Sequence, residues 1–217
     1  MPYVEGIDIW AGSSIHPIDW NAVVQAGIEF CIVRAGHCTS PDGKLAAHLQ
    51  AAQSAGLITG VYWGGWPDSD AATQAKALAA VAEGVDMPAA LDIEVEHGKS
   101  PKEVVAWMRT FVDAYEQTAG SPAMIYSYPF FVRAIAAAMT DDDRDYFAAR
   151  ELWLAAYTDA KAATTKYPPK APAPWESWRI WQYGGDVNHS AVAGVAGACD
   201  RSVFMGTTDD LKAWLGI

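Results

Sequence analysis

Five apolar runs begin near residues 5, 28, 57, 88 and 122, a repeat of about thirty residues. Each of the first four is followed by a helical stretch, and the helix after the fifth is less clearly marked. Alternation of this kind implies parallel strands joined by right-handed crossovers. No Gly-x-Gly-x-x-Gly turn follows the first run, Gly6-Ile-Asp-Ile-Trp10, which weighs against a dinucleotide-binding sheet. The expected fold is α/β: an irregular TIM-like (β/α) barrel of about eight strands, the first five in parallel β/α units.

Local signals set the boundaries. Asp19 can cap a helix that ends at Gly27, and Ile28-Glu-Phe-Cys-Ile-Val-Arg34 reads as a buried strand. A helix from Lys44 to Ala55 closes at Gly56. Leu57 to Trp63 reads as the third strand. Ser69 or Asp70 caps the next helix. Ser100-Pro-Lys-Glu103 is a capping box with proline at the first helical position, and Val104, Val105, Met108, Phe111, Val112 and Tyr115 follow at helical spacing. Beyond residue 128 come helical stretches over 129–139 and 142–149. Strands are expected at Glu151–Tyr157, Trp178–Tyr183 and Cys199–Phe204, and a last helix capped by Thr207 or Thr208. The proline-rich loop Tyr167–Pro174 is too short for a domain linker. Loops are short and composition is even, so 1–217 is read as a single domain.

Composition narrows the partners. A net charge of −11 argues against nucleic acid, which requires a basic surface, and against adhesion to anionic membranes. No apolar run reaches membrane-spanning length. The N-terminus, Met-Pro-Tyr-Val-Glu5, has neither a basic segment nor an apolar signal core, so the expectation is synthesis in the cytoplasm without a signal peptide and release by another route. Cys31, Cys38 and Cys199 form no disulfide framework, and the histidines lack zinc spacing, so neither metal nor cofactor is expected. Asn188-His-Ser190 matches a glycosylation sequon of the kind that arises by chance. A monomer is expected.

The run Pro88-Ala-Ala-Leu-Asp-Ile-Glu-Val-Glu96 carries the chemistry. Asp92 and Glu94, two apart on a strand, share a face with Cβ atoms roughly 6.5–7 Å apart. Acids on an apolar strand are costly unless used or open to water. Catalytic groups of such barrels gather at the carboxyl ends of strands. Those ends supply Asp8, Tyr62, Trp63, Asp92, Glu94, Tyr126, Tyr128, Tyr157, Gln182, Tyr183 and Asp200. Four acids among aromatic rings suit glycoside hydrolysis, in which carboxyls move protons and flat rings hold sugars.

The chain resembles glycoside hydrolase family 25, the muramidases often called lysozymes and common among phage endolysins. The resemblance rests on Gly6-Ile-Asp8, Ala55–Tyr62, Pro88–Glu94, Ile125-Tyr-Ser127, Leu152–Tyr157, Trp181-Gln-Tyr183 and Cys199–Phe204, in the family's order and across almost the whole chain. It implies a barrel with a groove at its mouth. It also implies cleavage of the β-1,4 bond between N-acetylmuramic acid and N-acetylglucosamine in peptidoglycan glycan strands. By position, Glu94 is the general acid, Asp92 its partner, and Asp8 and Asp200 further acids of the groove. Tyr62, Tyr126, Tyr157 and Gln182 are the matched sugar contacts, and Trp63 and Tyr183 join them from the strand-end reading. Two departures stand out: Trp10 replaces a small polar residue, and Arg34-Ala-Gly-His-Cys38 differs from the usual Ala-Thr-Glu-Gly-like segment.

Spacing also speaks to mechanism. Two carboxyls from one strand face one side of the bond, which suits a nucleophile on the opposite face poorly. Attack by the sugar's own 2-acetamido oxygen is the better match, with Glu94 as acid, then base, and ionised Asp92 steadying the acetamido N–H. Asp92 is expected to raise the Glu94 pKa. Two other readings use the same residues: a chitinase-like hexosaminidase, and a non-catalytic glycan-binding or virion structural module.

Overall fold

The computed structural model describes residues 2–14, 16–157, 168–185 and 190–217. Tyr167 of the proline-rich loop, and Asn188 and His189 of the sequon, lie outside them. In order the elements are β1 (Tyr3–Ile9), α1 (Trp20–Gln25), β2 (Ile28–His37), β3 (Ser40–Pro41), α2 (Leu45–Ser54), β4 (Ile58–Gly64), α3 (Ala71–Ala79), β5 (Ala90–Asp92) and α4 (Pro101–Ala119). They continue with β6 (Met124–Ser127), α5 (Pro129–Ala136), α6 (Asp141–Ala148), β7 (Leu152–Ala155), β8 (Ile180–Gly184), β9 (Asp200–Met205) and α7 (Thr208–Leu215).

The cap signals act as read. The Asp19 carboxylate accepts from Ala22 N and that of Asp70 from Thr73 N. At Ser100 the hydroxyl accepts from Glu103 N at 3.4 Å while the Glu103 carboxylate accepts from Ser100 N at 2.8 Å. The residues α4 buries are the six its spacing marked. Gly120, at φ 69°, ends that helix in the left-handed conformation glycine tolerates.

Eight strands close a barrel in the order β1-β2-β4-β5-β6-β7-β8-β9, and β3 is a two-residue addition to the end of β2. Every pairing from β1–β2 round to β7–β8 is parallel, while β9 runs antiparallel to both β8 and β1. The barrel is irregular in this reversed stave and in register shifts at Glu5/Gly6, Arg34/Gly36 and Gln182/Gly184.

Side chains alternate between two packed layers, as the pleat requires. Val4, Phe30, Ile32, Ile58, Met124, Trp153, Ile180 and Phe204 fill the barrel. Ile7, Ile9, Val33, Val61, Leu91, Ile93, Leu154, Trp181 and Val203 face outward into the apolar layer shared with the helices. Gly6 takes an inward place where any Cβ would strike the Phe30 ring. A residue's parity on its strand therefore decides whether it can reach the mouth.

Candidate active site

One further inward step along the strands turns the barrel filling polar. Asp8, Tyr62, Asp92, Tyr126 and Gln182 line a recess of about 170 Å³ at the carboxyl ends of β1, β4, β5, β6 and β8, joined by Glu94, Trp153, Tyr157 and Asp200. Asp200 arrives from the other direction. It is the first residue of β9, not a carboxyl-end residue as expected, and reaches the same mouth because β9 is reversed. It sits directly across the ladder from Asp8.

The acid pair is side by side, and a hydrogen bond links the Asp92 and Glu94 side chains. The strand is shorter than expected, however. β5 ends at Asp92, and Glu94 stands two residues beyond it. Alternation survives because neighbours hold the extension: Ile93 N donates to Tyr126 O at 3.0 Å, Ser127 Oγ to Ile93 O at 2.7 Å, and Tyr128 Oη to Glu94 O at 3.2 Å. Ile93 is wholly buried in the outer layer, so Glu94 points with Asp92 into the cleft.

Burial pushes the Asp92 carboxyl well above its usual range, and the charge of Glu94 adds to it. Burial also raises Glu94, whereas its hydrogen bond with Asp92 lowers it. The cause expected for Glu94 is thus corrected: exclusion of water lifts it, and Asp92 works the other way. The pair retains a proton to higher pH than a lone carboxyl would.

Asp8 is the most confined acid. Burial drives its pKa well up, the Asp200 charge contributes, and hydrogen bonds from Gln182 and Ser202 oppose. The Gln182 amide donates to both Asp8 oxygens at 3.0 Å, and its carbonyl accepts from Tyr126 Oη at 2.8 Å. Trp153 Nε1 donates to Ser202 Oγ at 3.0 Å. Gln182 and Tyr126, expected as sugar contacts, thus use their polar atoms on each other and on Asp8 beneath the groove. Ser202 and Trp153, which the sequence reading missed, belong to the same network. Ser202 could have been found from its place two residues after Asp200, on the same face.

Two flanking recesses meet the central one. One of about 360 Å³ is lined by Trp10, Arg34, His37, Tyr62, Trp66 and Val95 together with Asp92, Glu94 and Asp200. The other, of about 240 Å³, is lined by Glu94, Tyr126, Tyr128, Ala155 and Tyr157. Glu94 borders all three. The result is a groove along whose whole length Glu94 is the one shared carboxyl among the described residues, with aromatic rings to either side.

Residues 7–192 match the family model for glycosyl hydrolases family 25. The chain belongs to that family. Over 97% of its length it is 27% identical to Lysozyme M1 of Streptomyces globisporus, covering 70% of that protein. The bacterial lysozyme of Streptomyces coelicolor superposes with a TM-score of 0.82 at 26% identity, covering 97% of this chain and 95% of the other. A family GH25 lysozyme from Aspergillus fumigatus superposes at 0.78 with 28% identity and 98% coverage of both chains. The barrel and the glycoside hydrolase class expected from the strand rhythm and the acids are those of this family.

Two expected contacts do not face this family 25 groove. Trp63 is 1% exposed and lies in the outer layer, where its Nε1 donates to Cys38 O at 3.1 Å. Tyr183 is fully buried in the same layer, and its hydroxyl donates to Glu5 at 2.8 Å. Tyr62 and Gln182 already take the inward places of their strands, so the next residue on each must point away. Tyr157 and Tyr62 do line the groove. Among the described residues no group of three or more His, Cys, Asp or Glu is arranged to hold a metal ion, and no helix is long and apolar enough to cross a membrane.

Proposed function

We propose that this family 25 hydrolase is an endo-acting muramidase that cleaves the β-1,4 bond between N-acetylmuramic acid and N-acetylglucosamine in peptidoglycan. The observation that carries the reading is Glu94 hydrogen-bonded to Asp92 at the meeting point of three recesses, so that a polymer can lie across a single proton donor. The lysozymes it resembles support the same substrate.

Glu94 protonates the leaving glycosidic oxygen. Asp92, the last residue of β5, lies two residues before Glu94 on one extended run and so stands on the same side of the bond, where it cannot attack the opposite face of the sugar. The 2-acetamido oxygen of the substrate makes that attack, and the bond between the anomeric carbon and the leaving oxygen breaks as the new one forms. Asp92 accepts from the acetamido N–H as positive charge grows on that group. In the free enzyme the pair shares a proton; an N–H donated to Asp92 favours its ionised form and moves that proton to Glu94. Glu94 then takes a proton from water, which opens the cyclic intermediate with net retention. Asp8 and Asp200 border the same recess and complete its negative wall. All these groups come from one copy of the chain, so a monomer suffices.

Digestion of purified walls followed by mass spectrometry tests the bond: products should carry muramic acid at their reducing ends. Glucosamine ends, or cleavage of chitin in preference, would replace this reading. Glu94→Gln should lower turnover by about 10²–10⁴-fold, and Asp92→Asn should lower it through lost charge stabilisation. Proton NMR of the first-formed anomer should show retention, and an inverted product excludes the acetamido route.

A further inference from the structure

Among the described residues the groove is asymmetric in charge. Arg34 is the one Lys or Arg among the described residues that line its three recesses, and it lies in the recess with Trp10 and Trp66. It occupies an inward place on β2, in register beyond Phe30 and Ile32, opposite Tyr62 on β4. Its guanidinium is preorganised. Nε donates to Asp42 at 3.0 Å, and Cζ sits 4.5 Å above the Trp10 ring. Asp42 is itself held by Ala11 N at 3.1 Å and Lys44 N at 3.0 Å, and its side chain is 1% exposed. Among the described residues no acceptor engages the terminal Nη atoms, and the Arg34 side chain is 22% exposed. A planar donor fork with one edge tied and the other open to a groove is built to meet a carboxylate.

We propose that Arg34, fixed by Asp42 and Trp10, is a specificity-determining residue that binds a carboxylate carried by the muramyl unit, so that the Trp10–Trp66 side of the groove receives the anionic part of the glycan. The inference rests on the muramidase reading of this groove. Its ligand chemistry has two sources, the free 3-O-lactyl carboxylate and a carboxylate of an attached stem peptide. Trp10, on which the guanidinium rests, and the 34–38 segment, which carries Arg34, are the two places where the sequence departs from the family pattern. Among the described residues the other recess, bordered by Tyr128 and Tyr157, has no Lys or Arg in its lining and suits an uncharged sugar. The carboxyls of Asp92, Glu94 and Asp200 face the Arg34 recess, so an anion placed away from Arg34 would lie nearer these like-charged groups.

Three substrates separate the possibilities: peptide-free glycan strands with the lactyl carboxylate intact, the same strands with that group converted to its methylamide, and strands that retain stem peptides. Wild type should process at least one carboxylate-bearing substrate with kcat/KM about tenfold above the methylamide, the effect of one charge-assisted hydrogen bond. Arg34→Gln should collapse that ratio towards one, mainly through KM, and Arg34→Lys should restore part of it. Selectivity on the peptide-free strands identifies the lactyl group, and selectivity on the peptide-bearing strands alone identifies the stem. A wild type indifferent to all three substrates overturns the proposal, and so does an Arg34→Gln loss of equal size on every one. The wild-type comparison stands even where the variant folds poorly. Failure of the muramidase reading is distinct, because then wild type releases no product ending in muramic acid from any substrate.

Discussion

Asp8 shows what a buried acid costs when it is kept for function. It is 5% exposed, faces Asp200 across the ladder and depends on Gln182 and Ser202 for hydrogen bonds. Burial, and then the Asp200 charge, raise its folded pKa well above the unfolded value of about 4. Below that unfolded value the group is neutral in both states and costs nothing. As pH rises towards the folded pKa the native state resists ionisation, and the penalty grows and then persists. Asp8→Asn should therefore raise the melting temperature at pH 7 by about 3 °C, the shift of roughly 1 kcal/mol in a chain of this size, and should give no gain near pH 3.5. Calorimetry at the two pH values checks it; equal shifts at both would assign the effect to hydrogen bonding instead. Turnover should fall in the same variant, a trade of activity for stability. The four acids were legible because an acid in an apolar run is chemically conspicuous. The task of Gln182 was not: only the fold reveals that its carbonyl is taken by Tyr126 and its amide by Asp8.

At the scale of the element, the period of two decides which aromatic rings meet substrate. Strand ends point to the mouth, but only every second residue of an end enters it. The Tyr62–Trp63 and Gln182–Tyr183 pairs each contain one inward and one outward member, so reading both members of each as contacts was bound to fail for one. That parity was available in the sequence, since Val61 and Trp63 on one side and Gly60 and Tyr62 on the other must separate. Trp63→Phe should cost about 1–2 kcal/mol of stability through the lost Cys38 bond and a small void, with KM unchanged. Tyr62→Phe, altering a hydroxyl at the groove, should change KM with a smaller loss of stability. Denaturant melts beside Michaelis curves distinguish the two, and a raised KM for Trp63→Phe would contradict the outward placement. The reversal of β9 had no comparable signal. Its residues read as a strand in either direction, and antiparallel entry is fixed by closure against β1 and β8.

Across the whole molecule, the net charge opposes the proposed substrate. The chain carries −11, and a peptidoglycan wall with free carboxylates is anionic, so the long-range field slows encounter while Arg34 acts only at contact. The two effects differ in range, and salt separates them. The Debye length shortens from about 30 Å at 0.01 M to about 10 Å at 0.1 M, which screens molecule-sized repulsion before it weakens a pair at hydrogen-bond distance. Release of fragments from intact walls should therefore rise over that interval. Turnover of a short uncharged oligosaccharide should stay level, because it neither feels the field nor uses the guanidinium. Rates on both substrates across a salt series, at fixed pH, give the comparison. If the wall rate falls from the lowest salt onward, local attraction at the groove outweighs the net charge, and the acidic surface is no barrier to approach.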